Sequence, residues 1–81
     1  MRARYSQRFL RQYASAPAEV QKVFDKQGGF LLENLSHPSL RAKRYDEALG
    51  FWQARVNRNR RFYFTIEGDE HHLHDLRPHP E

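Results

Sequence analysis

The sequence predicts an α+β fold in which an N-terminal helical hairpin packs on one face of a small antiparallel β-sheet. Apolar residues recur at three- and four-residue spacings in the first half, strict alternation takes over from residue 51, and two turn signals punctuate the second half. With 81 residues, the chain reads as a single domain spanning 1–81. A chain this short buries only about 60% of its unfolded surface. Eleven aromatic residues compensate, because large rings bury much area from few positions, so the core is expected to be aromatic-rich.

Ser6 caps a short helix carrying Phe9, Leu10 and Tyr13, and the segment ASAP ends it. Pro17 in a first turn and Glu19 just after it open a second helix. Along that helix Val20, Val23, Phe24, Leu31 and Leu35 mark one apolar face, which packs the two helices as a hairpin. Gly28 and Gly29 interrupt the pattern, where a bend or a closely packed partner is expected. SHPSL then closes the helical half, and RAKRYDEALG reads as a basic, mostly irregular connection. Three strands follow as a meander over Phe51 to Asn57, Arg60 to Glu67 and Glu70 to Leu76, with tight turns at Arg58–Asn59 and Gly68–Asp69. Residues Met1 to Tyr5 are a candidate further strand.

The net charge of +4 is unevenly distributed. Residues 1 to 16 hold four arginines and no acid, and residues 41 to 63 hold Arg41, Lys43, Arg44, Arg55, Arg58, Arg60 and Arg61 against Asp46 and Glu47. Residues 64 to 81 are net acidic. Such segregation draws a polyanion to one surface, a nucleic acid or an acidic protein, with a solvated basic surface as the plainer reading. The absence of cysteine removes disulfides and thiolate metal sites. The longest apolar runs are a few residues, too short for a signal peptide or a membrane span, so a cytoplasmic protein with no membrane partner is expected.

Alternation sorts the strand residues. Trp52, Ala54 and Val56 share a face with Phe62, Phe64 and Ile66 as the core set against the helices. The opposite face receives Gln53, Arg55 and Asn57 beside Arg61, Tyr63 and Thr65, with Arg58 in the turn and Arg60 at the core edge. Guanidinium groups take phosphate oxygens in forked geometry, and Tyr63 offers a stacking ring or a hydroxyl. Metal-free phosphodiester chemistry also needs a group that moves protons near neutral pH, for which histidine is suited. His71, His72, His74 and His79 crowd the C-terminus, and His79 lies just past the last strand, within reach of the basic face. His72 and His74 share a face but lack a third ligand at a recognised spacing, so no metal is expected.

In order, a helix hairpin, HPSLRAKRY, and FWQARVNRNRRFYFTIEGDEHHLHDLRPHP resemble the RelE/ParE superfamily of bacterial toxin–antitoxin toxins, the RelE/StbE or plasmid-stabilisation type. The resemblance implies a ribosome-dependent endoribonuclease that cleaves mRNA without metal or other cofactor and is neutralised by a cognate antitoxin. It equally admits a ParE-like inhibitor of DNA gyrase, or a toxin that only binds its antitoxin. Carried over by position, Arg61, Arg55 and His79 are the implied catalytic residues, Arg61 stabilising transition-state charge and His79 acting as general acid. Lys43, Arg44, Gln53, Arg58 and Tyr63 are the implied RNA contacts. Arg60 stands where many relatives carry an aromatic residue.

Overall fold

A computed structural model of the chain describes residues 2–78. The elements in order are β1 (Arg2–Tyr5), α1 (Gln7–Ser15), α2 (Ala18–Glu33), a 3₁₀ turn (Pro38–Leu40), β2 (Lys43–Asp46), β3 (Phe51–Asn57), β4 (Arg60–Glu67) and β5 (Glu70–Pro78). The strands form one sheet in the order β1-β5-β4-β3-β2. β2 through β5 pair antiparallel, whereas β1 adds to β5 in parallel, which makes the sheet mixed rather than purely antiparallel.

Local chemistry sets the helix ends. Ser6 Oγ accepts from the Phe9 amide at 3.0 Å, satisfying an otherwise orphaned first-turn donor, and donates to the His74 carbonyl at 3.0 Å. One side chain thus starts α1 and ties it to β5. Pro17 is the N-cap of α2 rather than a residue inside its first turn. From there Val20, Phe24, Gln27 and Leu31 form a buried stripe at spacings of four, three and four. α2 runs unbroken through Gly28 and Gly29; a Cβ at Gly28 would rest on the Phe24 ring at 3.5 Å, and one at Gly29 would meet nothing. Phe30, in the last turn of α2, stacks on His37 with ring centroids 3.8 Å apart, and past the helix Arg41 turns the chain at φ 46°, left-handed for a residue with a side chain.

The segment expected to be irregular contains β2. No apolar alternation marks Lys43–Asp46, because this edge strand is held by its ladder to β3 rather than by burial.

The helices cover one face of the sheet, and the core between them is aromatic. Centroid distances of 5.1 Å for Phe9–Phe24, 5.2 Å for Phe24–Phe62 and 5.8 Å for Phe62–Phe64 trace a continuous stack from α1 through α2 into β4. Ala54, Val56, Leu31, Leu40, Leu73 and Leu76 fill the space around it, with Trp52 and Ile66 packed at its margin. His71 also lies in the core at 1% exposure, beside Phe64, and neither ring nitrogen has a hydrogen-bond partner.

Three β-bulges interrupt the ladders, at Tyr45 on β2, Val56 on β3 and His74 on β5. Each inserts one unpaired residue and shifts the phase of everything beyond it. The bulge at His74 sends Leu76 into the core opposite Phe62 and leaves Asp75 opposite Tyr63 and Arg77 opposite Arg61.

Candidate functional site

The face of the sheet not covered by helices carries the candidate site. Arg55 on β3 lies directly opposite Arg61 on β4, and Arg77 on β5 lies opposite Arg61 from the other side. Lys43 on β2 lies opposite Gln53, in the neighbouring row that continues through Tyr63. Like charges placed across a ladder repel one another. Burial first, and Arg55 second, pull the Arg61 pKa below its ordinary value. Among the described residues, none of Lys43, Arg55, Arg61 and Arg77 forms a salt bridge with a carboxylate, whereas Arg2, Arg4 and Arg8 pair with Asp69, Glu70 and Asp75 near the β1 edge. Arg55 and Arg61, on the central strands β3 and β4, face one another with no carboxylate bridge among the described residues, while Tyr63 and Asp75 beside Arg77 hold its pKa up against desolvation.

Arg61 is held in place by its own hairpin. One terminal nitrogen donates to the carbonyls of Asn57 at 2.7 Å, Arg60 at 3.0 Å and Arg58 at 3.3 Å. Asn57 Oδ1 in turn accepts from the amides of Asn59 and Arg60, which tightens the same turn. A guanidinium has five donors, so the other terminal nitrogen stays available for an anion. Arg58 sits exposed at the turn tip beside it.

The sequence placed Arg55, Arg61, Gln53 and Tyr63 on this face together, and their ladder positions agree. Two contacts differ from expectation. The Tyr63 ring is not open for stacking: it is 4% exposed, with the Arg77 guanidinium 4.4 Å over it and Tyr45 packed edge-on at 4.9 Å. Arg44 points away from Lys43, because neighbouring strand residues face opposite ways; its guanidinium covers Trp52 at 4.8 Å on the helix side. Gln53 is 8% exposed, within the sheet surface rather than projecting from it. His79 lies outside the described residues.

Sequence reasoning missed Tyr45, Leu49, Phe51, Asp46, Asp75 and Arg77, which together with Tyr63 line a depression of about 190 Å³ next to the arginines. Tyr45 and Leu49 are exposed despite their size, at 55% and 68%. Asp46 holds the loop after β2 by accepting from the Leu49 amide at 3.2 Å. Asp75 accepts from Gln12 at 3.1 Å and lies 3.7 Å from Arg8, which ties this rim to α1.

His72 and His74 are already engaged. His72 lies between Glu67, 2.9 Å from Nδ1, and Glu70, 3.1 Å from Nε2. That hydrogen bond, with Arg2 and Arg4 beside it, keeps the Glu70 carboxyl below its usual range against desolvation. His74 meets Thr65 Oγ1 at 2.9 Å and packs on Phe51, and burial ahead of the neighbouring His72 lowers its pKa, so its ring is neutral near pH 7. Among the described residues no three His, Asp or Glu side chains are placed to hold a metal ion. Among the described residues no helix is long and apolar enough to cross a membrane.

This architecture is the fold of the RelE/ParE-superfamily toxins. The YoeB/ParE toxin from Agrobacterium tumefaciens superimposes with a TM-score of 0.83 at 13% identity, over 99% of this chain and 100% of that one. YafQ from E. coli strain BL21(DE3) follows at 0.79 and 14% identity over 96% and 93%. The RelE of a RelB–RelE antitoxin–toxin complex from Methanococcus jannaschii gives 0.77 at 13% over 93% and 88%. No protein-family model and no curated protein matches the sequence.

Proposed function

We propose that this chain is the toxin of a type II toxin–antitoxin module and acts in the cytoplasm as a ribosome-dependent, metal-independent mRNA endoribonuclease. The observation that carries the reading is the group of cations on the uncovered sheet face: the row Arg55–Arg61–Arg77, with Lys43 in the neighbouring row, none of them in a salt bridge with a carboxylate among the described residues. A face built this way attracts a polyanion and gains most where negative charge is densest. Attack of a ribose 2′-oxygen on the adjacent phosphorus, its hydroxyl proton passing to water, gathers such charge on the phosphoryl oxygens. Arg61 and Arg55, fixed on rigid strands, stabilise it without reorganising. The P–O5′ bond then breaks, leaving a 2′,3′-cyclic phosphate, and the departing 5′-oxygen takes a proton, a role assigned to His79 by its place after β5. Lys43 and Arg58 guide the flanking backbone. Arg44, on the other side of β2, contributes long-range attraction only.

A cognate antitoxin is the expected partner, in keeping with the solved RelB–RelE complex of the same fold. Its acidic segment would cover the arginine row. Primer extension on a message translated in vitro tests the proposal. The wild type is expected to produce discrete cleavage only with ribosomes present, and Arg61→Ala and Arg55→Ala to remove most of it. Intact message together with inhibited gyrase supercoiling would instead place the chain among gyrase inhibitors.

A further inference from the structure

Resting on the reading of the uncovered face as an RNA surface, we propose that the depression beside the arginines is a subsite for one unstacked nucleobase, and that it selects guanine. Its walls are Tyr45, Leu49 and Phe51, and its volume of about 190 Å³ admits a single planar base but no base pair. Two large side chains on this rim are open to solvent, Tyr45 at 55% and Leu49 at 68% exposure, so both present apolar surface to a ligand beside the cations. The bulge in β2 turns Tyr45 onto this face, where its edge rests on Tyr63 and its remaining surface is open. Aromatic walls next to cations that hold phosphates are the combination by which proteins bind splayed-out single-stranded nucleotides.

The polar rim selects the base. Asp46 offers a carboxylate oxygen, which accepts hydrogen bonds and cannot donate when ionised, whereas both oxygens of Asp75 are engaged by Gln12 and Arg8 of α1; Arg77 offers only donors. Asp46 spends one oxygen on the Leu49 amide and keeps the other. Guanine presents N1–H and N2–H₂ donors on one edge and O6 and N7 acceptors on another, matching a carboxylate on one side and a guanidinium on the other. Uracil has a single N–H between two carbonyl oxygens that a carboxylate repels. Adenine and cytosine each offer an amino group beside a bare ring nitrogen.

Fluorescence anisotropy with a labelled oligouridine and the same strand carrying one guanosine tests this at low salt. The wild type should bind the guanosine strand about fivefold or more tightly. Tyr45→Ala and Leu49→Glu, both at exposed positions, should each erase the difference, and Asp46→Asn should reduce it. Arg55→Gln and Arg61→Gln should weaken both strands equally, since phosphate contacts carry no sequence information. Equal wild-type binding of the two strands, or a preference that survives both Tyr45→Ala and Leu49→Glu, overturns the guanine subsite while leaving RNA binding standing. Failure to bind either strand overturns RNA binding and the subsite with it.

Discussion

The side-chain amide of Gln27, buried in the middle of α2, donates to the Arg55 carbonyl at 2.8 Å and to the Ser39 carbonyl at 3.0 Å, while its oxygen accepts from the Ser39 hydroxyl at 3.0 Å. A single polar residue in an apolar stripe therefore joins helix, 3₁₀ turn and the strand that carries a candidate catalytic arginine. Gln27→Leu keeps the bulk but leaves two carbonyls without this donor. The expected loss is about 1–3 kcal/mol, a fall in Tm of roughly 4–8 °C per kcal/mol in a domain of this size. Thermal unfolding followed by circular dichroism measures it, and an unchanged Tm would show that water replaces the amide.

The buried His71 predicts acid sensitivity. Burial without a hydrogen-bond partner lowers its pKa, so the folded chain binds fewer protons than the unfolded chain. Stability then rises with pH: it is fully present above the ordinary histidine value of about 6.5 and is lost progressively as pH falls below it toward the depressed folded pKa. His74 acts in the same sense and window. Glu70, held low by His72, adds a separate loss only below about pH 4.3, as its folded pKa is approached. Urea unfolding between pH 7 and 5 should show falling stability in the wild type and a clearly flatter profile in His71→Leu. An equal slope in both would rule out His71 as the source.

The glycines divide by backbone. Gly29 lies inside α2 with nothing near its absent Cβ, so Gly29→Ala is expected to stabilise by up to about 1 kcal/mol. Gly50 and Gly68 sit at φ 72° and 63°, where a side chain is strained, and alanine there should destabilise by about 1–2 kcal/mol. Chemical denaturation of the three variants provides the comparison, and stabilisation by all three would contradict the turn geometry.

These positions also show where sequence patterning works and where it stops. Alternation assigned Ala54, Val56, Phe62 and Phe64 to the core and set Arg55 and Arg61 on the open face, because β3 and β4 keep their pairing phase across those positions up to the Val56 bulge. The same rule could not find Arg77 and Asp75. The bulge at His74 reverses the phase of β5, and nothing in HHLHDLRP marks the extra residue. β2 went unseen because an edge strand of charged residues has no apolar period, and with it went the placing of Tyr45 and the separation of Lys43 from Arg44. Gln27 was hidden for the opposite reason: its spacing fits the α2 stripe, but an amide carries no apolar signal, and its burial follows from the carbonyls it serves.

The pairing of Arg55 with Arg61 leads to a last expectation, which needs no ribosome. Two guanidinium groups opposed across a ladder, with no described carboxylate to offset them, make the unliganded face electrostatically unfavourable. An anion that binds the folded face and not the unfolded chain raises stability by RT ln(1 + [L]/Kd), about 2.7 kcal/mol at a hundredfold excess over Kd. Inorganic phosphate should therefore raise the Tm of the wild type more than chloride of equal ionic strength does. Arg55→Gln removes the repulsion as well as a binding arm, so this variant should begin with a Tm at or above that of the wild type and respond less to phosphate. Arg61→Gln also gives up the donor to three turn carbonyls, so it should begin lower, with the same loss of response. Equal phosphate responses in all three proteins would mean that the arginine pair is not where the anion binds.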